Sequence, residues 1–229
     1  MANQLDLEEQ EQLDQLKHFW TQYGNAITWL LIVILGGIAA WNGYQYWQRT
    51  QAVQAAALFD EVERVVRTGD IQKSERAFNE MKDRFASAVY TQQAGLMVAR
   101  AAFDADKTDI AKATLTWVAE KSSDKGYASI AKLRLAAVLI DAKAFDEALK
   151  VLDSGVSDEF LALVADRKGD IYVLQDKKSE AKSQYQKAYK AFDEQTEYRR
   201  LVEVKLGSLG VVPGIDGAAT GVIAVEGSK

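Results

Sequence analysis

The first pattern along the chain is a long run without charge. Between Lys17 and Arg49 there is no Asp, Glu, Lys or Arg. Within it, Gly24 to Tyr44 reads GNAITWLLIVILGGIAAWNGY. A helix needs about 20 mostly apolar residues to cross the hydrocarbon core of a bilayer, and this run has that length. Phe19, Trp20 and Tyr23 stand before it, and Trp41, Tyr44, Tyr46 and Trp47 close it. Such rings, apolar in body and polar at the tip, settle at the headgroup level. The pattern predicts a transmembrane helix over residues 24–47. A core helix of a soluble domain carries a charged face, and a signal peptide a short basic front end. Here residues 1–23 form an acidic N-terminal tail, with Asp6, Glu8, Glu9, Glu11 and Asp14 against Lys17. Leu13, Leu16, Trp20 and Tyr23 at helical spacing predict a short amphipathic helix that leads into the span.

From Thr50 the pattern becomes helix, short break, helix. Val53, Ala57, Val62 and Val65 lie on one face of 50–67, and Thr68-Gly69-Asp70 ends it. Ala77, Phe78, Met81 and Phe85 mark the inward face of 71–85, and further helices are predicted over 88–105 and 109–121. Ala77, Ala111, Ala148 and Ala181 recur at gaps of 34, 37 and 33 residues. Twelve residues before the last three stand Ala99, Ala136 and Gly169, and four residues after them Leu115, Leu152 and Tyr185. A fixed period in this range marks a helical repeat array, and this small-then-bulky spacing is that of the tetratricopeptide repeat. The last copy keeps the order Gly169, Tyr172, Ala181, Tyr185, Ala188. Repeats fall near 58–91, 92–125, 129–162 and 162–195. Residues 196–209 then predict a capping helix, which such arrays need to cover their last apolar face. The expected architecture is all-α: a single N-terminal transmembrane helix followed by a tetratricopeptide-like α-solenoid over 50–209. The Gly-rich remainder, 210–229, is expected to be disordered.

Composition narrows the function. The formal net charge is -5, which repels nucleic acid. There is no cysteine, one histidine (His18) and one proline (Pro213), so no thiol chemistry and no His or Cys metal cluster is expected. No phosphate-cradling glycine loop occurs, and pairs such as Asp60-Glu61 and Asp146-Glu147 read as solvated helix faces. No catalytic residue and no cofactor is expected. Binding of proteins is what remains. The first helix of each pair lines the inner surface of a solenoid. That rule selects Leu96, Arg100, Phe103, Leu133, Ile140, Asp166, Asp170 and Val173 as a candidate partner groove for an extended peptide or a helix. In the span, Gly36 with Ala40 and Ala39 with Gly43 are small pairs that favour close helix approach, hence weak self-association. Charge does not orient the span, since Lys17 and Arg49 nearly balance.

The order of parts resembles the YfgM family. An acidic, Leu-rich lead-in (LEEQEQLDQLKHFWTQYGN), one span, the aromatic exit WNGYQYW and degenerate repeats including DKGYASIAKLRLAAVLIDAKAFDEALKVLD carry the resemblance. The family is an ancillary subunit of the bacterial SecYEG translocon. Membership implies a single-pass inner-membrane protein with a cytoplasmic N-terminus and periplasmic repeats. It also implies association with a PpiD-like membrane chaperone and with exported clients. A homo-oligomeric adaptor for envelope assembly or cell division is the alternative, and an enzyme with a cryptic carboxylate site a third.

Overall fold

A computed structural model of the chain describes residues 7–211. They form α1 (Leu7–Arg67), α2 (Ile71–Phe85), α3 (Val89–Asp104), α4 (Thr108–Lys121), α5 (Lys125–Asp141), α6 (Phe145–Leu152), a short 3-10 turn (Asp158–Phe160), α7 (Leu161–Leu174), α8 (Lys178–Ala191) and α9 (Glu197–Ser208). Residues 1–6 of the acidic tail and 212–229 of the tail expected to be disordered lie outside the described residues. Two compact units divide the chain, Met1–Gln54 and Ala55–Lys229, the boundary falling inside α1.

In the first unit the lead-in and the apolar run are one uninterrupted helix. Among the described residues it is the one helix long and apolar enough to cross a membrane. Trp29, Leu30, Ile32, Val33, Leu35 and Ile38 are each more than half exposed. In water each such side chain forgoes about 1.5–3 kcal/mol of burial; lipid removes that cost. Three hydroxyl and amide donors in and beside the run are satisfied by the helix itself. Thr28 Oγ1 donates to the Gly24 carbonyl at 2.8 Å, Asn42 Nδ2 to Ile38 at 3.0 Å and Thr50 Oγ1 to Tyr46 at 3.0 Å. Back-bonding to the preceding turn is how such donors are met where no water is available. Phe19 packs on Tyr23, and Tyr44 on Trp47, at the two ends of the run.

The second unit is built from helix pairs. Each successive helix from α3 to α9 packs on the one before. The end of α1 joins α2 and α3 in one core through Val62, Phe78 and Ala94, and that core continues into α7 through Leu115, Leu135, Leu152 and Ile171. A second cluster closes the array, joining Ala165, Ala181, Tyr185 and Ala188 to Val202 and Leu206 of α9.

The turn inside each pair sets the register. Gly69, Asp106, Lys143 and Asp176 all take positive φ, between 57° and 75°. The residue after three of them donates its N–H back to the first helix at 2.8 Å: Lys107 to Ala102, Ala144 to Leu139 and Lys177 to Tyr172. This left-handed close satisfies carbonyls that the helix end leaves open. The turns are spaced by 37, 37 and 33 residues. Five residues beyond each stands a fully buried small residue: Ser74, Ala111, Ala148 and Ala181. The first repeat is therefore shifted by three residues from the sequence expectation. Ser74, not Ala77, occupies the tight position, with Val62 twelve before it and Phe78 four after, all at most 1% exposed, while Ala77 is half-buried. Ser74 is tolerated there because its hydroxyl donates to the Asp70 carbonyl at 2.8 Å. On α1 the expected face over 50–67 is also corrected. Val62 and Val65 are buried, but Val53 and Ala57 are exposed and Ala55 is buried instead.

Candidate partner groove

Besides packing within pairs, the first helices pack on one another, α3 on α5 and α5 on α7. Two side-chain links show that α3 and α5 run in the same direction. Gln93 Nε2 donates to the Tyr127 hydroxyl at 2.6 Å, and Arg134 Nη1 to the Leu96 carbonyl at 3.3 Å. Between the two helices lies an open recess of about 250 Å³. Its floor is Ala99, Leu115 and Val138, and its rim Arg100, Phe103, Arg134 and Asp141. Arg100 is paired with Asp104 at 2.6 Å.

The eight residues singled out from sequence divide into four groups. Arg100 and Phe103 stand at this recess. Leu133 and Ile140 are half-buried against the main core, and Leu96 is buried in it, offering only its carbonyl to Arg134. Val173 is exposed near the end of α7. Asp166 and Asp170 serve a different structure. Asp166 is 0% exposed. It accepts from Tyr198 Oη at 2.8 Å and from Lys205 Nζ at 2.7 and 2.9 Å. Asp170 accepts from Tyr185 Oη at 2.8 Å and from the same Lys205 Nζ at 2.7 Å. The two carboxylates, one lysine and two phenols thus fasten α9 to α7. Burial raises the Tyr198 hydroxyl to about 12, with the bond to Asp166 adding to it; burial and the bond to Asp170 push Tyr185 up as well. A buried charge must be paired to be tolerated, and Lys205 supplies the pairing.

Sequence reasoning missed Arg134 and Asp141 at the recess, and Lys205 and Tyr198 in the cluster. Of the first two, Asp141 is recoverable from the period, because it follows Asp104 by 37 residues, the gap between turns, whereas the position 37 before Arg134 is Met97. The other two carry no such mark, as α9 lies beyond the repeats. Gly95 was missed as well. A Cβ there would sit 2.5 Å from Val118 Cγ2 and 3.0 Å from Phe78 Cζ, so side chains of α2 and α4 press directly on the α3 backbone one turn before Ala99. Among the described residues no group of three or more His, Asp or Glu side chains is gathered to hold a metal ion. His18 is exposed on α1.

Known proteins match this arrangement nearly end to end. A family model described as a tetratricopeptide repeat-like domain matches residues 17–211. A protein of Neisseria gonorrhoeae named ancillary SecYEG translocon subunit is 32% identical over 207 residues, covering 89% of this chain and 98% of the relative. Proteins of the same name from Haemophilus influenzae and Escherichia coli are 28% and 26% identical over 89% of this chain. The alignment takes in the apolar helix and the repeats together, so the shared feature is the whole order of parts and not the repeat alone. The chain belongs to the tetratricopeptide repeat-like YfgM family, whose named members are ancillary SecYEG translocon subunits.

Proposed function

We propose that this protein is a non-enzymatic, single-pass inner-membrane adaptor that works beside the Sec translocon. Its repeat unit binds a PpiD-like membrane chaperone, exported clients as they emerge, or both. The N-terminus lies in the cytoplasm and the repeats in the periplasm. One observation carries the reading: the apolar helix and the repeat unit align as one piece with 98% of a relative named ancillary SecYEG translocon subunit. Two features of the chain support it. Among the described residues the span's large apolar side chains are exposed, and the row of first helices presents an open recess with mixed apolar and charged walls, the surface an extended polypeptide needs.

Site-specific photo-crosslinking in intact cells tests it, with the probe placed at Arg100, Phe103 or Val173. Adducts with translocon subunits, a membrane-anchored chaperone or exported chains are expected. Adducts confined to unrelated soluble proteins would sink the proposal.

A further inference from the structure

The recess between α3 and α5 has a charge polarity that a general polypeptide groove would not need. We propose that it is a selective subsite. It takes one bulky apolar side chain of an extended segment in which an acidic and a basic residue stand three positions apart, on either side of that side chain. The inference deepens the polypeptide-binding reading above and rests on it.

The two links between α3 and α5 pair residue 93 with 127 and 96 with 134, so a residue of α3 stands level with one about 37 further on in α5. Along the recess Arg134 therefore comes first, Arg100 and Ala137 next, Asp104 and Asp141 last. Arg100 and Asp104 already satisfy each other at 2.6 Å. Arg134 is exposed, and its one hydrogen bond among the described residues is the long one to the Leu96 carbonyl. Its planar fork is left for a carboxylate, which it can grip with two parallel bonds. At the other end Asp141 is exposed and forms no ion pair among the described residues. It is the acceptor left for a cation. Seven helical residues separate the two, about 10 Å at 1.5 Å each. An extended chain rises about 3.3 Å per residue, so three residues cover the distance. The apolar floor of Ala99, Leu115 and Val138 lies between the two charges. At about 250 Å³ the space falls below the roughly 300–1,000 Å³ of small-molecule pockets, and suits one large side chain. The anionic partner is taken to be an Asp or Glu within a segment, since the recess is open rather than closed around a chain end.

The test uses the full-length chain in detergent and fluorescence anisotropy of end-blocked, fluorescein-labelled peptides. Their cores are Asp-Leu-Gly-Lys, Lys-Leu-Gly-Lys and Asp-Gly-Gly-Lys. The first is expected to bind about fivefold tighter than the second, the value of a surface charge pair, and at least about tenfold tighter than the third, which lacks the apolar side chain. Arg134→Glu should invert the order of the first two, and Ala137→Trp, which fills the recess, should abolish the advantage over the third. Should Arg134→Glu not fold by circular dichroism, Asp141→Lys supplies the same test, with Asp-Leu-Gly-Asp becoming the preferred peptide. Equal affinity for all three peptides overturns the inference. So does an unchanged order in Arg134→Glu or Asp141→Lys, or binding that requires a free C-terminal carboxylate. Translocon adducts with no peptide discrimination would defeat the subsite alone; peptide discrimination without such adducts would defeat the translocon reading alone.

Discussion

Asp166 has no exposed surface, and three polar contacts hold it there. Lys205 is the cation that makes this burial tolerable. Lys205→Met should therefore cost about 3–5 kcal/mol, as breaking a buried pair does, read as a lowered urea midpoint of the detergent-solubilised protein. Asp166→Asn with Lys205→Met together should cost less than the sum of the two single changes, because each alone strands its partner. The phenols add a pH dependence. The folded chain holds the Tyr198 proton up to about 12, whereas an unfolded tyrosine releases it near 10. That contribution is complete below about pH 10 and is lost as pH rises toward 12. Stability should fall steeply across this window, and Tyr198→Phe should flatten the fall. A second residue-scale case is Gly169, where a Cβ would lie within 3.0 Å of three atoms of the Tyr185 ring. Gly169→Ala is expected to cost about 1–3 kcal/mol through overpacking, measured in the same denaturation experiment.

At the scale of elements, the pair-forming turns decide how the repeats align. Three of the four place a residue with a side chain in the left-handed region: Asp106, Lys143 and Asp176. A Cβ in that region carries a penalty of about 1–2 kcal/mol, partly offset by the greater unfolded-state freedom of glycine. Lys143→Gly should accordingly raise stability by about 0.5–1 kcal/mol, and Gly69→Ala should lower it by a similar amount. Thermal unfolding followed by circular dichroism checks both. These turns also explain a register error. Alanine spacing placed Ala77 in line with Ala111, whereas the turn at Gly69 places Ser74 there. A serine looks polar in a sequence. It behaves as a small core residue once its hydroxyl bonds to the carbonyl four residues back. Helix positions in the repeat unit were legible because their apolar residues recur at helical spacing; α1 was misread where Val53 follows that spacing yet lies outside the repeat unit.

At the scale of the molecule, the absence of cysteine gives a clean background for topology. Single cysteines at Gln12 and Ser154, both exposed, should differ in spheroplasts treated with a membrane-impermeant maleimide. Ser154→Cys is expected to label at once and Gln12→Cys only after lysis; the reverse pattern would invert the proposed orientation. The array also depends on its cap. Val202 and Leu206 cover Tyr185, Ala188 and Ala165. Chain ending before Glu197 leaves that apolar end open and two carboxylates without their lysine. Truncation there should produce aggregates on size-exclusion chromatography in detergent, where the full chain is expected to elute as a single species.

By itself the sequence determined the kinds of element and their order. A charge-free run of bilayer length and a recurring helical period are local in origin, and each is written in consecutive residues. The order of parts also carried the family. What only tertiary structure decided is which polar residues face inward and which outward. Asp166 and Arg100 both belong to first helices and look alike as charged positions on a groove face. One is buried because a lysine 39 residues away in sequence meets it, and the other stays in water beside its own Asp104. The same holds for Arg134, whose place on the recess follows from the packing of α5 on α3 and not from its neighbours in the chain. Charge is placed by the partners that can pay its desolvation, and those partners come together only when the helices pack.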